Sequence, residues 1–329
     1  MKAYVINSFG PPENLLLSEV DKPVPGPGEV LLRVRATSIN PYDWHHMRGE
    51  PFVARFMGGG LGRRPHPILG CDVAGEVAAL GPGVSALQLG DAVYGLVKHG
   101  SFAEYMCAPA ENLVAKPGAL SFEQAAAVPM AGVTARVAVH DNAGTAPGGR
   151  VLVNGASGGV GTFAVQLARA AGAEVAGVCS GRNAELVRSL GATEVYDYTK
   201  QDFTRLARGF DALVDIAGSP PVRAARRVLQ PGGAYVVIGG DAGRWLRPID
   251  HIMAVQLTGA LTRQPSAVTG FGIGADSARH LTELAPLFEN GQVTPVIARR
   301  YAFAELPAAV RFVEAGHAPG KVVVTVASE

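Results

Sequence analysis

The sequence predicts an α/β protein in two parts, a β-rich domain and a doubly wound parallel-sheet domain. Three observations carry this. The first 120 residues read as short strands broken by Gly and Pro. From Val151 onward, strand and helix patterns alternate, the rhythm of a parallel sheet with right-handed crossovers. Between these parts, the apolar run Arg150-Val151-Leu152-Val153-Asn154 enters a glycine-rich turn, from which a helical segment leaves.

In chain order, residues 29–36 alternate, with Val30, Leu32 and Val34 on one face and Leu31, Arg33 and Arg35 on the other. Strands are expected at 70–80, 91–96 and 101–108, separated by Gly81-Pro82-Gly83 and His99-Gly100. Ser121 and Gln124 have the spacing of a capping box and open a helix. The alternating part has strands at 151–154, 174–179, 194–198, 211–216 and 234–238 and helices at 160–171, 183–190 and 221–229. Leu281, Leu284, Ala285 and Phe288 share one face of a helix at 277–290, which Gly291 ends. The run 321–326 is a strand expected to return to the N-terminal domain, which would put a ligand cleft between the domains.

Composition limits the functions open to the chain. At 329 residues, 48% hydrophobic and 17% charged, it is long and apolar enough for two packed domains. A net charge of +1 gives no electrostatic case for nucleic acid or an anionic membrane. Cys71, Cys107 and Cys179 are far apart and odd in number, which fits a reducing cytoplasm better than a disulfide framework. The first residues lack the apolar core of a signal peptide, and no run of about 18 apolar residues predicts a membrane span.

The glycine-rich turn carries the chemistry. Gly155, Gly158 and Gly161 leave room for a backbone to approach a diphosphate, and the helix N-terminus behind them offers N–H groups to the anion. An ordinary tight turn is the bland alternative. NAD sites usually place an acid at the end of the second strand, but here the chain reads Ser180-Gly181-Arg182-Asn183. A hydroxyl and a guanidinium suit a 2′-phosphate, so NADPH is the expected cofactor. Ser180 as a helix cap and Arg182 as a solvated residue remain the plain reading.

Several segments, in this order, resemble the medium-chain dehydrogenase/reductase superfamily, in its zinc-independent quinone oxidoreductase-like, or enoyl reductase-like, branch. They are Ser38-Ile39-Asn40-Pro41-Tyr42-Asp43, Leu69-Gly70-Cys71-Asp72-Val73-Ala74-Gly75, Gly90-Asp91-Ala92-Val93-Tyr94-Gly95 and Gly100-Ser101-Phe102-Ala103-Glu104-Tyr105. Ala131-Gly132-Val133-Thr134-Ala135, the 155–161 loop, the stretch from Gly191 to Tyr198, and Gly320-Lys321-Val322-Val323 complete the set. The resemblance implies a GroES-like substrate domain at 1–130 and 275–329, with a Rossmann NADPH-binding domain at 131–274. It commonly implies a homodimer built by extension of the Rossmann sheet. It assigns the cofactor to Thr134, Gly155, Ser157, Gly158, Gly159, Val160, Gly161, Ser180, Arg182, Tyr198, Ile238, Gly239 and Lys321.

In the zinc enzymes of this superfamily, catalytic ligands stand at the positions of Asn40, Cys71 and, approximately, Met130. An amide and a thioether are poor zinc ligands, so no metal is expected. His45 and His46 are adjacent and diverge in either regular structure, which disfavours joint chelation. Without a Lewis acid, hydride transfer to an activated C=C bond or a quinone is the easier chemistry. Asn40, Tyr42 and Asp43 are the candidate catalytic groups, read as a loop after a strand. Asn40 would orient a carbonyl, Tyr42 would donate a hydrogen bond or proton, and Asp43 would fix the loop or a water. A turn at Asn-Pro, with Tyr42 packed and Asp43 bonded to backbone, is the structural alternative.

Enoyl thioester reductases of the mitochondrial type carry a catalytic Tyr where this chain has Phe52. The insert 53–67 is either a lid or a surface loop. A pathway enoyl thioester reductase stays open, and a basic pocket of Arg48, Arg55, Arg63 and Arg64 would favour it. So does a non-catalytic NADPH-binding sensor or structural protein.

Overall fold

The computed structural model describes residues 1–50, 67–239, 249–262, 264–270, 272–316 and 318–326. The N-terminal elements are β1 (Lys2–Val5), β2 (Leu16–Glu19), β3 (Glu29–Ile39), α1 (Pro41–Arg48), β4 (Asp72–Leu80), β5 (Ala92–Leu96), β6 (Tyr105–Pro109), β7 (Leu113–Ala115), α2 (Phe122–Ala126) and α3 (Pro129–Arg136). The alternating part follows with β8 (Arg150–Asn154), α4 (Gly159–Ala170), β9 (Glu174–Cys179), α5 (Ala184–Ser189), β10 (Glu194–Asp197), α6 (Phe203–Leu206), β11 (Phe210–Asp215), α7 (Val222–Ala225), β12 (Leu229–Val237), α8 (Ile249–Thr262) and β13 (Ser266–Val268). The chain closes with α9 (Ala275–Glu289), β14 (Ile297–Ala302), α10 (Leu306–Glu314) and β15 (Lys321–Thr325).

These elements form two compact units. One comprises 1–133, 272–291 and 295–329; the other comprises 134–271 and 292–294. The first holds a seven-stranded sheet in the order β14-β15-β3-β4-β5-β7, with β6 also paired to β3. Its alternating strand β3 buries Val30, Leu32 and Val34 against Val73, Val77, Val93 and Met106. A second cluster joins Ile39, Met47, Leu69 and Phe102 to Leu306, Val310, Val322 and Val324. The returning strand β15 pairs antiparallel with the end of β3, Val322 opposite Ile39.

The second unit is a six-stranded sheet in the order β10-β9-β8-β11-β12-β13, and every recorded pairing is parallel. A Rossmann-type sheet of this kind places the turns that follow its strands at one edge, where ligands bind. Leu152, Val178, Phe203, Phe210, Leu213, Tyr235, Val237 and Val255 fill one of its faces.

Several elements depart from the sequence reading. β3 runs on to Ile39 because Thr37 and Ser38 are buried polar residues satisfied by hydrogen bonds to Asp72. Alternation of apolar residues cannot register such positions. The expected loop at 40–43 is instead the start of α1. Asn40 is its N-cap and Pro41 its first residue, where a missing N–H costs nothing. The strand read at 101–108 is confined to Tyr105–Pro109. The helix read at 221–229 is a single turn, Val222–Ala225, followed by a 3-10 turn, and β12 already begins at Leu229. Phe52, Arg55, Arg63, Arg64 and the insert 53–67, apart from Pro67, lie outside the described residues.

Candidate functional site

Pairing of strands gathers the polar residues of the first unit. Ser38 stands opposite Asp72 in the β3–β4 ladder, and Val322 stands opposite Ile39 in the β15–β3 ladder. The end of β3 therefore lies beside the starts of β4 and β15, and Asn40, Cys71, Asp72 and Lys321 come together. Asp72 Oδ2 accepts from Ser38 Oγ at 2.5 Å, Asn40 Nδ2 at 2.8 Å and Lys321 Nζ at 3.2 Å. Its Oδ1 accepts from the backbone N–H of Met130 at 2.8 Å.

Asn40 is spent inside this cluster. Its amide donates to Asp72 and, at 3.4 Å, to the Cys71 sulfur, while its Oδ1 accepts from the Lys321 ammonium. In this arrangement both the nitrogen and the oxygen of the Asn40 amide are engaged by neighbouring side chains. Lys321, assigned by resemblance to the cofactor, spends its ammonium on Asn40 and Asp72 and is 3% exposed. Among the described residues, no group of three His, Cys, Asp or Glu side chains is placed to hold a metal. Burial, reinforced by Asp43 and Asp72, pushes the Cys71 thiol up, which keeps it neutral.

Asp43 is buried in the first turn of α1, and its Oδ2 accepts the Asn40 N–H at 2.7 Å. Its Oδ1 is buried without a full hydrogen bond, next to the Cys71 thiol. Burial pushes this carboxyl up from 3.8 to about 7; the backbone hydrogen bond from Asn40 opposes the shift, and the nearby Asp72 charge adds to it. Tyr42 packs against the His46 ring, with centroids 3.9 Å apart. Burial pushes its phenol up to about 12, so at neutral pH it is a hydrogen-bond donor and a weak acid. His45 instead stacks on Trp44 and bonds through Nδ1 to the Glu50 carbonyl. The two histidines are not brought to one point.

In the second unit, the carboxyl edge of the sheet presents the glycine-rich loop. Gly155 follows β8 with φ +89°, a left-handed conformation that favours glycine. Gly158 caps α4, and Gly159, Val160 and Gly161 form its first turn, whose N–H groups have no intrahelical partners. Ser157 Oγ accepts from Asn183 Nδ2 at 3.1 Å, which ties this loop to the turn after β9. Thr134 lies buried on α3. Ile238 and Gly239 follow β12, with the Ile238 N–H on the Asp215 carbonyl.

Ser180 and Arg182 follow β9, and Tyr198 follows β10, where Asp197 stands opposite Cys179. The neighbouring strands thus bring all three to one end of the sheet, with Tyr198 58% exposed. The sequence reading missed Asp197, which shares this end. Its carboxyl, held below the usual range chiefly by Thr199, accepts from the Thr199 N–H and hydroxyl and from the Gly181 N–H. The acid lies one strand away from the position where sequence rules look for it, and its oxygens shape the Gly181 turn.

Asp215, also missed, is fully buried at the end of β11. Its Oδ1 accepts from Asn154 Nδ2 at 2.7 Å and the Gly218 N–H at 2.9 Å; its Oδ2 accepts from the Tyr235 hydroxyl at 2.6 Å and meets His251 Nε2 at 3.3 Å. It therefore fixes the ends of β8, β11 and β12 together. Asp215→Ala orphans four donors and is expected to cost about 3 kcal/mol in urea unfolding. Asp215→Asn keeps an acceptor toward Asn154 and Gly218 and should cost only about 1 kcal/mol. Equal losses in the two variants would show that charge, not hydrogen bonding, is what matters here.

Residues 26–118 match the alcohol dehydrogenase GroES-like domain family, and residues 190–324 match the zinc-binding dehydrogenase family. The chain is 32% identical to the mitochondrial NAD(P)H oxidoreductase RTN4IP1 of Mus musculus, covering 99% of this chain and 89% of that protein. It is 34% identical to 2-methylene-furan-3-one reductase of Solanum lycopersicum, covering 98% and 79%. The solved structure of the quinone oxidoreductase from Coxiella burnetii superposes with a TM-score of 0.85 at 30% identity, covering 99% of each chain.

Proposed function

The chain belongs to the medium-chain dehydrogenase/reductase superfamily, in its zinc-independent quinone oxidoreductase-like branch, and from that premise we propose that it is an NADPH-dependent reductase of activated C=C bonds or quinones, working without zinc. It is an oxidoreductase that uses a nicotinamide coenzyme. The observation that carries the finer reading is the carboxyl edge of the parallel sheet, where the Gly155–Gly161 turn, Ser180, Arg182 and Tyr198 line up at the ends of β8, β9 and β10. The glycines and the first-turn N–H groups of α4 suit a diphosphate, while Arg182 and Ser180 suit a 2′-phosphate. Bound there, the coenzyme supplies the hydride.

The substrate class follows from chemistry and from relatives. One relative is named for reducing a conjugated methylene ketone, and one structural neighbour is named for quinones. Both acceptors place negative charge on an oxygen, which a neutral hydroxyl donor stabilises. Tyr42 is that donor in our reading, and solvent completes protonation. Arg48, the one residue of the suggested basic pocket among those described, is paired with Glu314, which gives no support to a phosphate-bearing thioester. Purified protein should oxidise NADPH with an enone or a quinone at full rate after metal chelation. Binding of NADPH with no turnover across a panel of both acceptors would leave a sensor instead.

Arg182→Ala tests the coenzyme choice. It should weaken NADPH by about tenfold to thirtyfold and leave NADH nearly unchanged, since a charge-assisted bond to phosphate contributes about 1.5–2 kcal/mol. Equal weakening of both coenzymes, measured by fluorescence titration, removes the basis for NADPH.

We also propose a homodimer and a reducing compartment such as the cytoplasm. Met253, Leu257 and Leu261 recur every four residues on α8 and are 57%, 66% and 82% exposed. The edge strand β13 beside α8 adds Val268. Such a stripe next to an open sheet edge suits a second copy. Leu257→Glu should convert the species of two chains to one in light scattering; a wild-type monomer would exclude this assembly. No helix among the described residues is long and apolar enough to cross a membrane.

A further inference from the structure

We propose that Asp72 and Lys321 are positioning residues of the reductase site, a buried ion pair that fixes Asn40 and the N-terminus of α3. The inference rests on the functional reading above for its catalytic consequence, but not for its geometry. The two side chains are 0% and 4% exposed and 3.2 Å apart. Burying two charges is expensive, and an apolar pair of similar volume usually serves stability as well. This pair does more than neutralise itself, because it joins four chain segments. The Asp72 carboxylate takes Ser38 and Asn40 at the β3–α1 junction, Met130 on α3 and Lys321 on β15.

The two residues hold the Asn40 side chain from both ends. Asp72 accepts from its amide nitrogen, and Lys321 donates to its amide oxygen. Asn40 caps α1, the helix that carries Tyr42 two residues on. The Met130 N–H lies in the first turn of α3, and Thr134 stands one turn further along the same helix. A shift of the pair therefore moves the cap below Tyr42 and the start of the Thr134 helix together. Cys71 and Asp43, the other titratable groups of the cluster, bond to Asn40 and not to Lys321.

The test is a double substitution, Lys321→Met with Asp72→Leu, beside Lys321→Met alone. The single variant strands a buried carboxylate and should lower Tm; the double variant should recover part of that loss. If the pair positions the site, the double variant still has a kcat at least about tenfold below wild type, with NADPH Kd within about threefold, because misplacement costs rate more than binding. Its Met130 and Asn40 amides should also exchange with deuterium faster than in wild type. Recovery of wild-type kcat with wild-type exchange at both amides would overturn the proposal. Should the double variant not fold, Asp72→Asn carries the same comparison of kcat against Kd. The exchange measurement needs no turnover, so a wild-type protein inactive on every acceptor would refute the functional reading and still leave this geometry testable.

Discussion

Gly161→Ala is expected to lower NADPH affinity at least about 100-fold, a loss of about 2.7 kcal/mol, and to lower Tm as well. A Cβ at this position would press into the Gly155 carbonyl oxygen and stand 2.8 Å from Ala156 Cα. Both obstacles are backbone, so no rotamer change relieves them, and the strand-to-helix turn must open. Gly158→Ala separates the two effects. There the nearest protein atom to an added Cβ is the Gly155 oxygen, at 3.5 Å, and φ is an ordinary −79°. The fold should therefore tolerate the methyl group, while a diphosphate lying against the turn should not. Calorimetric titration of both variants checks this. Wild-type affinity in Gly158→Ala would show that no diphosphate lies against that residue.

The turn is legible because its signal is local: glycines at fixed spacing between an apolar run and a helical one. The parallel sheet is legible for the same reason, since its strands read as short apolar runs bounded by turn residues. What stays hidden depends on contacts distant in sequence. Asp72 reads only as part of a motif, yet it binds four donors contributed by segments as far apart as Ser38 and Lys321. Asp215 and Asp197 read as ordinary strand-end acids until neighbouring strands bring their donors. Asn-Pro-Tyr-Asp reads as a turn because Asn and Pro favour both turns and helix starts, and only the reach of Asp43 back to the Asn40 N–H separates the two. The edge helix α8 and strand β13 give no clear periodicity, because α8 carries apolar residues on its outer face as well as its inner one. That outer stripe is the observation on which the proposed homodimer rests.

Asp43→Asn is expected to stabilise the protein above neutral pH by up to about 4 kcal/mol, and to lose that advantage as the pH falls toward 4. The Asp43 carboxyl has its folded value raised from 3.8 to about 7, chiefly by burial. Between those two values the unfolded chain has released a proton that the folded protein still holds. The stability contributed by the neutral form is thus fully present below 3.8 and is lost as pH rises through about 7, after which the curve is flat. A gap of about three units at about 1.36 kcal/mol each gives the size of the loss. The amide of the variant keeps an oxygen for the Asn40 N–H but carries no titrating proton, so the difference between the two proteins should grow from pH 4 to 7 and then hold constant. Urea unfolding at pH 4.5, 6 and 8 reads this directly, and parallel curves at all three would mean that Asp43 is ionised throughout. The same titration bears on the proposed chemistry, because an ionised Asp43 adds negative charge beside Asp72 and next to Tyr42, the donor we propose for the developing oxyanion. Turnover should then fall as pH rises through about 7 in the wild type and stay level in Asp43→Asn. A wild-type profile with no inflection near that value would separate the stability role of Asp43 from any part in the reaction.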